Sequence, residues 1–198
     1  MKWRLEMKTE TDFSFEKWFV DAMMNFTPDP DRVQVDGAPK DMTEFASNKA
    51  FSISFASGVM PGPFGMATIL PELAAVTKIQ MDLIFKISKY HDKLGKVNRA
   101  LILCIFASAL GVTAGRILAQ KIGSRMIIKA LSTQAAQKIA GAIGTRIGSA
   151  VVQRSVGRWL SFATAPVFAY FSKKMTEKIG QYADELLSQD IEIEQSGT

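Results

Sequence analysis

The stretch from Pro71 to Lys93 most constrains the fold, because as a helix it would be apolar around most of its circumference. At about 100° per residue, the charged side chains share one narrow arc and large apolar side chains fill two others. The charged arc holds Lys78, Asp82, Lys86, Lys89 and Lys93, and the apolar arcs hold Val76, Ile79, Leu83, Ile84, Ile87 and Tyr90, then Met81 and Phe85. Such a helix must lie at the centre of a bundle and expose only its lysine strip.

The rest of the chain from Asp41 onward also follows helical spacing, with breaks at 58–65, 91–96, near Gly123 and at 165–166. No run alternates apolar and polar residues over a convincing length, so we predict an all-α helical bundle of about five to seven helices. The predicted organisation has three parts. Residues 1–41 form an acidic N-terminal helix (12–26) and a Pro/Asp-rich linker or mobile loop, residues 42–187 form the helical domain, and residues 188–198 form an acidic disordered tail.

Charge divides the chain into acidic, basic and acidic blocks. Residues 96–180 carry 13 Lys and Arg against a single acid, Glu177, although this stretch is apolar and rich in glycine. Residues 1–45 carry 10 acids against 6 bases, and residues 181–198 carry 5 acids and no base. A segment that is both apolar and cationic suits contact with an anionic phospholipid surface.

Two uncharged runs raise the question of a membrane span. Residues 50–71 are interrupted by Pro-Gly-Pro-Phe-Gly at 61–65, which favours a turn between helices over a hairpin that dips into the bilayer. Residues 100–115 would give about 24 Å of helix against a hydrocarbon core of about 30 Å, so a buried core helix is favoured. Because Cys104 is the single cysteine and the N-terminus has no apolar signal segment, we expect a cytoplasmic protein, peripheral on the inner face of the membrane, with partial insertion left open.

Five bases form the candidate binding surface. Lys121, Arg125 and Lys129 step by four as on a helix, and Arg154 and Arg158 form a second pair. A charge stripe is ordinarily only a solvated helix face, but a solvated face interleaves both signs, and this region lacks acids. We therefore expect these bases to bind anionic lipid or an acidic protein partner.

Small residues form a ridge in the following segment. Ala140, Gly144 and Gly148 continue a four-residue repeat, and Gly111 with Gly115 would supply a facing groove, giving a glycine-rich, close-packed helix pair. A mid-helix glycine costs about 0.5–1 kcal/mol in water, so the ridge indicates tight packing. Packing within the monomer, between copies of a homo-oligomer and in a bilayer all remain open.

No motif indicates a reaction. There is no GxSxG, P-loop or GxGxxG, and one His with one Cys excludes a His/Cys metal site, so we predict no enzyme, cofactor or metal.

His91 ends the lysine-strip helix, where the dipole favours it without a general-base role. Gln80 in the apolar arc either contacts a ligand or, as we favour, bonds another helix. Nucleic acid is disfavoured because the aromatic residues of 159–171 cluster instead of alternating with bases.

Three segments together resemble the EcsC family. They are Gly-Val-Met-Pro-Gly-Pro-Phe-Gly at 58–65, the Leu-Pro-Glu helix of 70–93 and a base-led apolar helix at 99–116. The segment that follows Ala165 and Pro166 is similar to the family's closing helix, with Thr176 and Gly180 at matching positions. The resemblance covers roughly 45–187. It implies a helical, membrane-associated bacterial protein linked to an ABC exporter system, and it names no reaction.

The sequence thus predicts a non-enzymatic helical module that binds anionic membranes through a basic face and assists a membrane process such as transport or secretion. The alternative is a soluble scaffold or adaptor whose basic face docks an acidic partner, including its own acidic arm or tail in a second copy. A membrane-protein partner is also compatible with the charge pattern.

Overall fold

The computed structural model describes Phe19, Asp21 and residues 29–58, 69–156 and 161–194. The helices are α1 (Pro39–Gly58), α2 (Ile69–Tyr90), α3 (Arg99–Ala109), α4 (Thr113–Leu118), α5 (Thr133–Val156) and α6 (Ser161–Leu187). The strands are β1 (Ala119–Ile122), β2 (Arg125–Ile128) and β3 (Asp190–Ile193). Single 3-10 turns cover Pro30–Arg32 and Leu94–Lys96.

Helix α2 is central, as its pattern predicts. Met81, Leu83, Ile84 and Ile87 are buried, whereas Lys78 is exposed. The helix packs against α1 and α6. Gln80 is buried, and its Nε2 donates to Thr176 Oγ1 of α6 at 3.0 Å. The favoured interpretation of Gln80 as an interhelical hydrogen-bonding residue is therefore confirmed.

The Pro/Asp-rich segment lies across the lysine strip of α2. Lys86 Nζ is 3.1 Å from Asp36 Oδ2, and Lys89 Nζ donates to the carbonyl oxygen of Val33 at 2.7 Å. Val33 itself is buried. Where it is described, this segment is tied to the bundle, because the strip provides partners for its carboxylate and carbonyl groups, and the interpretation as a linker or mobile loop stays a prediction.

Helix α3 forms the middle of the core. Nearly every residue from Ala100 to Ala109 is buried, and Phe106 meets the ring of Phe19 edge-on at 6.3 Å between centroids. Asn98 begins the helix by accepting a hydrogen bond from Leu101 N at 2.9 Å. The predicted buried helix is confirmed, although it ends at Ala109 and α4 follows a turn.

Helices α1 and α6 run antiparallel. Near the start of α1, Thr43 faces Gly180 in the second half of α6. Farther along, Ser54 Oγ donates to Ser172 Oγ at 2.8 Å, in the first half of α6. The end of α1 therefore lies beside the beginning of α6.

A small three-stranded sheet, in the order β1-β2-β3, shows that the fold is mostly helical but not purely all-α. Strands β1 and β2 form an antiparallel hairpin around Gly123, which has a φ of +63°, and β3 joins β2 in parallel. Met126 and Ile128 point into the core while Arg125 is exposed. This alternation spans four residues, which is too short to be recognised against the helical spacing of the neighbouring bases.

Two further expectations differ from the structure. Helix α6 continues through Pro166, where a break was predicted. The proline lies in the second turn, so it removes a single backbone hydrogen bond while most of the helix lies beyond it. Residues 190–193 form β3 where a disordered tail was predicted. The predicted helix at 12–26, apart from Phe19 and Asp21, and the turn at 61–65 lie outside the described residues.

Candidate functional site

The first three candidate bases lie on the hairpin and not on a helix. Lys121 is in β1, Arg125 begins β2, and Lys129 follows β2 with its backbone N–H donating to Leu118 O at 3.0 Å. Lys121 and Arg125 are exposed, whereas Lys129 is half-buried. The prediction that they form one helical stripe is wrong, because the chain turns back between Lys121 and Arg125.

Arg125 already has acidic neighbours within the chain. Its Nε lies 3.5 Å from Asp190 Oδ2 and its Nη1 lies 3.5 Å from Glu192 Oε2, both on β3. All three side chains are more than half exposed. Such ion pairs contribute roughly 0–1 kcal/mol each, so they neutralise the arginine more than they stabilise the fold.

The other two bases come in the chain at and after the end of helix α5. Four residues separate β2 from helix α5, which is 24 residues long, and four more residues of the chain separate α5 from α6. At 1.5 Å per residue it covers about 36 Å. The backbone of Arg154 lies in the last turn of α5, its side chain lies outside the described part of the structure, and so does the whole of Arg158. The prediction that all five bases form one binding surface therefore stays a prediction.

The end of the bundle where α1 finishes and α6 begins exposes large apolar side chains. Val167 is 69% exposed, Tyr170 is 56% exposed and Phe55 of α1 is 42% exposed. Val167 and Tyr170 share a face of α6 at i,i+3 spacing, opposite the buried Phe168. We call this surface, together with Lys173 and Lys174, the aromatic end.

Two lysines adjoin these side chains. Lys174 Nζ lies 5.6 Å from the centroid of the Tyr170 ring and donates to Glu177 Oε2 at 2.7 Å. The hydrogen bond and the charge of Glu177 raise the pKa of Lys174. Lys173 Nζ donates to Asn48 Oδ1 of α1 at 2.8 Å. The amine of Lys174 therefore lies beside Tyr170, whereas the amine of Lys173 is directed at the middle of α1.

The predicted helix-packing residues have different environments. Ala140 and Gly144 are buried on the inner side of α5, which packs against α3 and α6. The burial of Gly148 lies outside what the structure describes. Gly115 packs tightly, since a Cβ there would be 2.6 Å from Ser108 N. Gly111, however, lies in a turn with a φ of +67° and open space around it, so it cannot line a groove for α5.

The two most reactive side-chain types, Cys104 and His91, each have a partner within the fold. Cys104 is buried, and its burial raises the pKa of its thiol to about 11 against an opposing hydrogen bond from Ser108. His91 Nε2 lies 2.7 Å from Asp184 Oδ1, joining the end of α2 to α6. Within the residues described, no group of three or more His, Cys, Asp or Glu side chains is placed to hold a metal.

The aromatic end was not identified from the sequence. Its signal was present as apolar residues at 167 and 170, on the face of α6 opposite the buried positions 168, 172 and 175. In the sequence the aromatic residues of this region form one apolar cluster, and their spacing alone does not show which face of the helix is buried. Of the helices described, none combines the length and hydropathy needed to cross a membrane.

Comparison with known proteins found no matching family model, no similar curated protein and no similar solved structure. The resemblance to the EcsC family therefore stays a prediction.

Proposed function

We propose that the chain is a non-enzymatic module that binds anionic phospholipid peripherally, on the cytoplasmic face of a membrane, and assists a process such as transport or secretion. The observation that carries this proposal is the aromatic end, where Val167 and Tyr170 are 69% and 56% exposed beside Lys173 and Lys174. Large apolar side chains that are exposed together mark interaction surfaces.

The chemistry of the aromatic end matches a membrane interface. A tyrosine places its ring among lipid headgroups and acyl chains while its hydroxyl stays hydrated. Lys174 beside it would keep its amine at the level of the headgroups, which attract a cation near an anionic leaflet. The cation–π contact of Lys174 with Tyr170 holds both groups at the same level.

Acidic and basic residues are unevenly placed along α6 and the segments that flank it. No acid occurs from residue 93 to residue 176, so the segment that leads into the aromatic end is uniformly basic. The other end of α6 carries Asp184 and Glu185 and is followed by the acidic strand β3. Arg125 faces the carboxylates of β3 at that end, so the upright orientation that we propose, with the sheet away from the membrane, rests on the exposed apolar side chains of the aromatic end.

Vesicle co-sedimentation tests whether the protein binds membranes and whether the aromatic end is the surface that binds. We expect the protein to pellet with anionic vesicles, less so as salt rises, and not with neutral vesicles. Val167→Ser with Tyr170→Ser should weaken binding roughly 20–30-fold, since partial burial of each side chain is worth about 1 kcal/mol. The matched control is Ile117→Ser with Ile122→Ser, which removes two side chains that are 56% and 58% exposed near the sheet.

Two results would contradict the proposal. If the unmodified protein does not pellet with anionic vesicles at low salt, membrane binding is wrong. If the control pair loses as much binding as the Val167 and Tyr170 pair, the membrane surface is not the aromatic end. Circular dichroism of each variant checks that the bundle is intact.

We also infer that the small-residue ridge of α5 makes a close helix contact inside the monomer and so stiffens the bundle behind the aromatic end. The burial of Ala140 and Gly144 supports this. Helices approach closely where small residues line their contact.

The alternative function, an adaptor that docks an acidic protein on a basic face, is favoured by a different observation at the opposite end. There, Arg125 lies between the two carboxylates of β3. This arrangement supports an acidic segment as the partner of the hairpin.

A further inference from the structure

The chain's own C-terminal segment occupies a defined groove beside β2. After two connecting residues, β3 pairs in parallel with β2 in the register Arg125 to Asp190 through Ile128 to Ile193. The pairing continues one residue further, where Glu194 N donates to Ile128 O at 2.9 Å. Strand addition to a sheet edge is a general means of recognising extended peptides.

Two lysines hold the backbone of this segment. Lys93 Nζ donates to Leu187 O at 2.7 Å and also to Gln189 O. Lys96 Nζ donates to Ile191 O. Burial and the charge of Lys96 lower the pKa of Lys93, while Asp190 acts in the opposite direction. We call β2 together with Lys93, Lys96 and Arg125 the tail groove.

The side chains of the segment alternate in the groove. Ile191 is fully buried and Ile193 is half-buried, whereas Asp190 and Glu192 point outward and flank Arg125. An open cleft of about 370 Å³ lies beside the strand and is lined by Gly95, Lys96 and Arg125 as well as by the strand itself. The tail therefore leaves space beside two of the three bases.

The contacts that hold β3 against β2 are weak enough for a competing segment to displace it. The segment contributes four residues of parallel edge strand, and its carboxylates make exposed contacts with Arg125 at 3.5 Å. Parallel pairs are somewhat less stable than antiparallel ones, and exposed ion pairs add little. A longer segment with the same alternation, or one that places an acid in the cleft, would make more contacts.

We propose that the tail groove is a binding site for an extended, acidic segment of a partner protein in which acidic and apolar residues alternate, and that β3 is its resident competitor. The apolar residues would take the places of Ile191 and Ile193. The acids would meet Arg125 and Lys96. The tail seated in the groove supports this site, which does not depend on membrane binding.

The test is a binding measurement with a labelled peptide and the full chain. The probe is Ser-Gln-Asp-Ile-Glu-Ile-Glu-Gln-Ser, and its control replaces the acids with Asn and Gln. The variant Ile191→Ser weakens the resident strand by removing its buried side chain. We expect the acidic peptide to bind this variant at least about tenfold more tightly than the unmodified chain, because a tethered competitor acts at an effective concentration in the millimolar range.

A second set of binding measurements tests whether the groove recognises the acidic side chains. The amide control peptide should bind roughly fivefold or more weakly, as should the acidic peptide to an Arg125→Ala version of the same variant. If Ile191→Ser loses its helical circular dichroism, Asp190→Lys with Glu192→Lys replaces it, since that pair repels Arg125 without touching the core.

Two results would overturn the proposal. Equal binding of the acidic and amide peptides to a folded variant would mean that the groove does not select acids. A dimer of the unmodified chain that the free peptide dissociates would assign the groove to the tail of a second copy, not to another protein. No vesicles enter the assay, so its failure is distinct from a failure of membrane binding.

Discussion

Replacing Gly180 by alanine should destabilise the bundle, because α1 and α6 approach closely at this residue. Gly180 is buried, and an added Cβ would lie 2.5 Å from Thr43 Cγ2 and 2.9 Å from Thr43 Cβ, with Thr43 Oγ1 nearer still. The threonine cannot simply rotate away, since its hydroxyl donates to Pro39 O at 2.7 Å and its Cβ is fixed to the backbone. The two helices must therefore separate.

The magnitude follows from two opposing terms. Overpacking a core contact costs about 1–3 kcal/mol, and a contact this close to the backbone belongs at the upper end of that range. Alanine regains about 1 kcal/mol of helix propensity over glycine. We expect a net loss of about 1–2 kcal/mol of unfolding free energy.

Gly141 provides a matched control on α5. It is also in a helix interior, but no atom lies within 4 Å of its would-be Cβ. Gly141→Ala should therefore stabilise by about 0.5–1 kcal/mol. The two variants should differ by about 1.5–3 kcal/mol, which corresponds to roughly 3–12 °C in Tm for a chain of this size.

Thermal and urea unfolding followed by circular dichroism would measure both substitutions. Adding Thr43→Ala to Gly180→Ala should recover part of the loss, since it removes the two nearest atoms, and a double-mutant cycle would report the coupling. A melting temperature for Gly180→Ala at or above that of Gly141→Ala would refute the close approach of α1 and α6.

Two other substitutions test the interior. Gly144→Leu should lower the free energy of unfolding by about 1–3 kcal/mol, because this residue is buried, and a raised melting temperature with unchanged size-exclusion behaviour would mean that the ridge is surface. Cys104 should resist a thiol reagent in the native state at pH 8 and react on unfolding, since burial raises its pKa to about 11 from 9.0. The unfolded thiol ionises first, so stability should fall as pH rises from about 9 to 11, and by less in Cys104→Ala. Equal slopes for the two proteins would contradict this.

The parts of the fold that the sequence predicted are those with a local signal. The lysine strip and apolar arcs of α2 repeat every three or four residues, so they identify a central helix without reference to its neighbours. The hydrogen bond from Gln80 to another helix followed from the requirement that a buried amide be paired. The sequence alone did not identify Thr176 as its partner.

The features of the fold that the sequence did not predict have sequence signals that are very short or that fit another type of secondary structure equally well. Lys121, Arg125 and Lys129 have helical spacing, and yet four-residue strands joined at Gly123 place them on a hairpin. Val167 and Tyr170 became a candidate surface only when α1 and α6 were seen to bury the opposite face of α6. Periodicity indicates that a helix has two faces but does not say which apolar residues remain uncovered.

The sequence by itself determined a mostly helical chain, its central helix, its buried α3 and the separation of acidic from basic segments, because hydrophobic period and charge order are properties of neighbouring residues. Only the tertiary structure decided that the acidic tail docks beside Arg125 and that Gly180 meets Thr43. These are contacts between residues from 65 to 137 positions apart. They depend on which faces of the helices bury the most apolar surface together, which the spacing within any one segment does not encode.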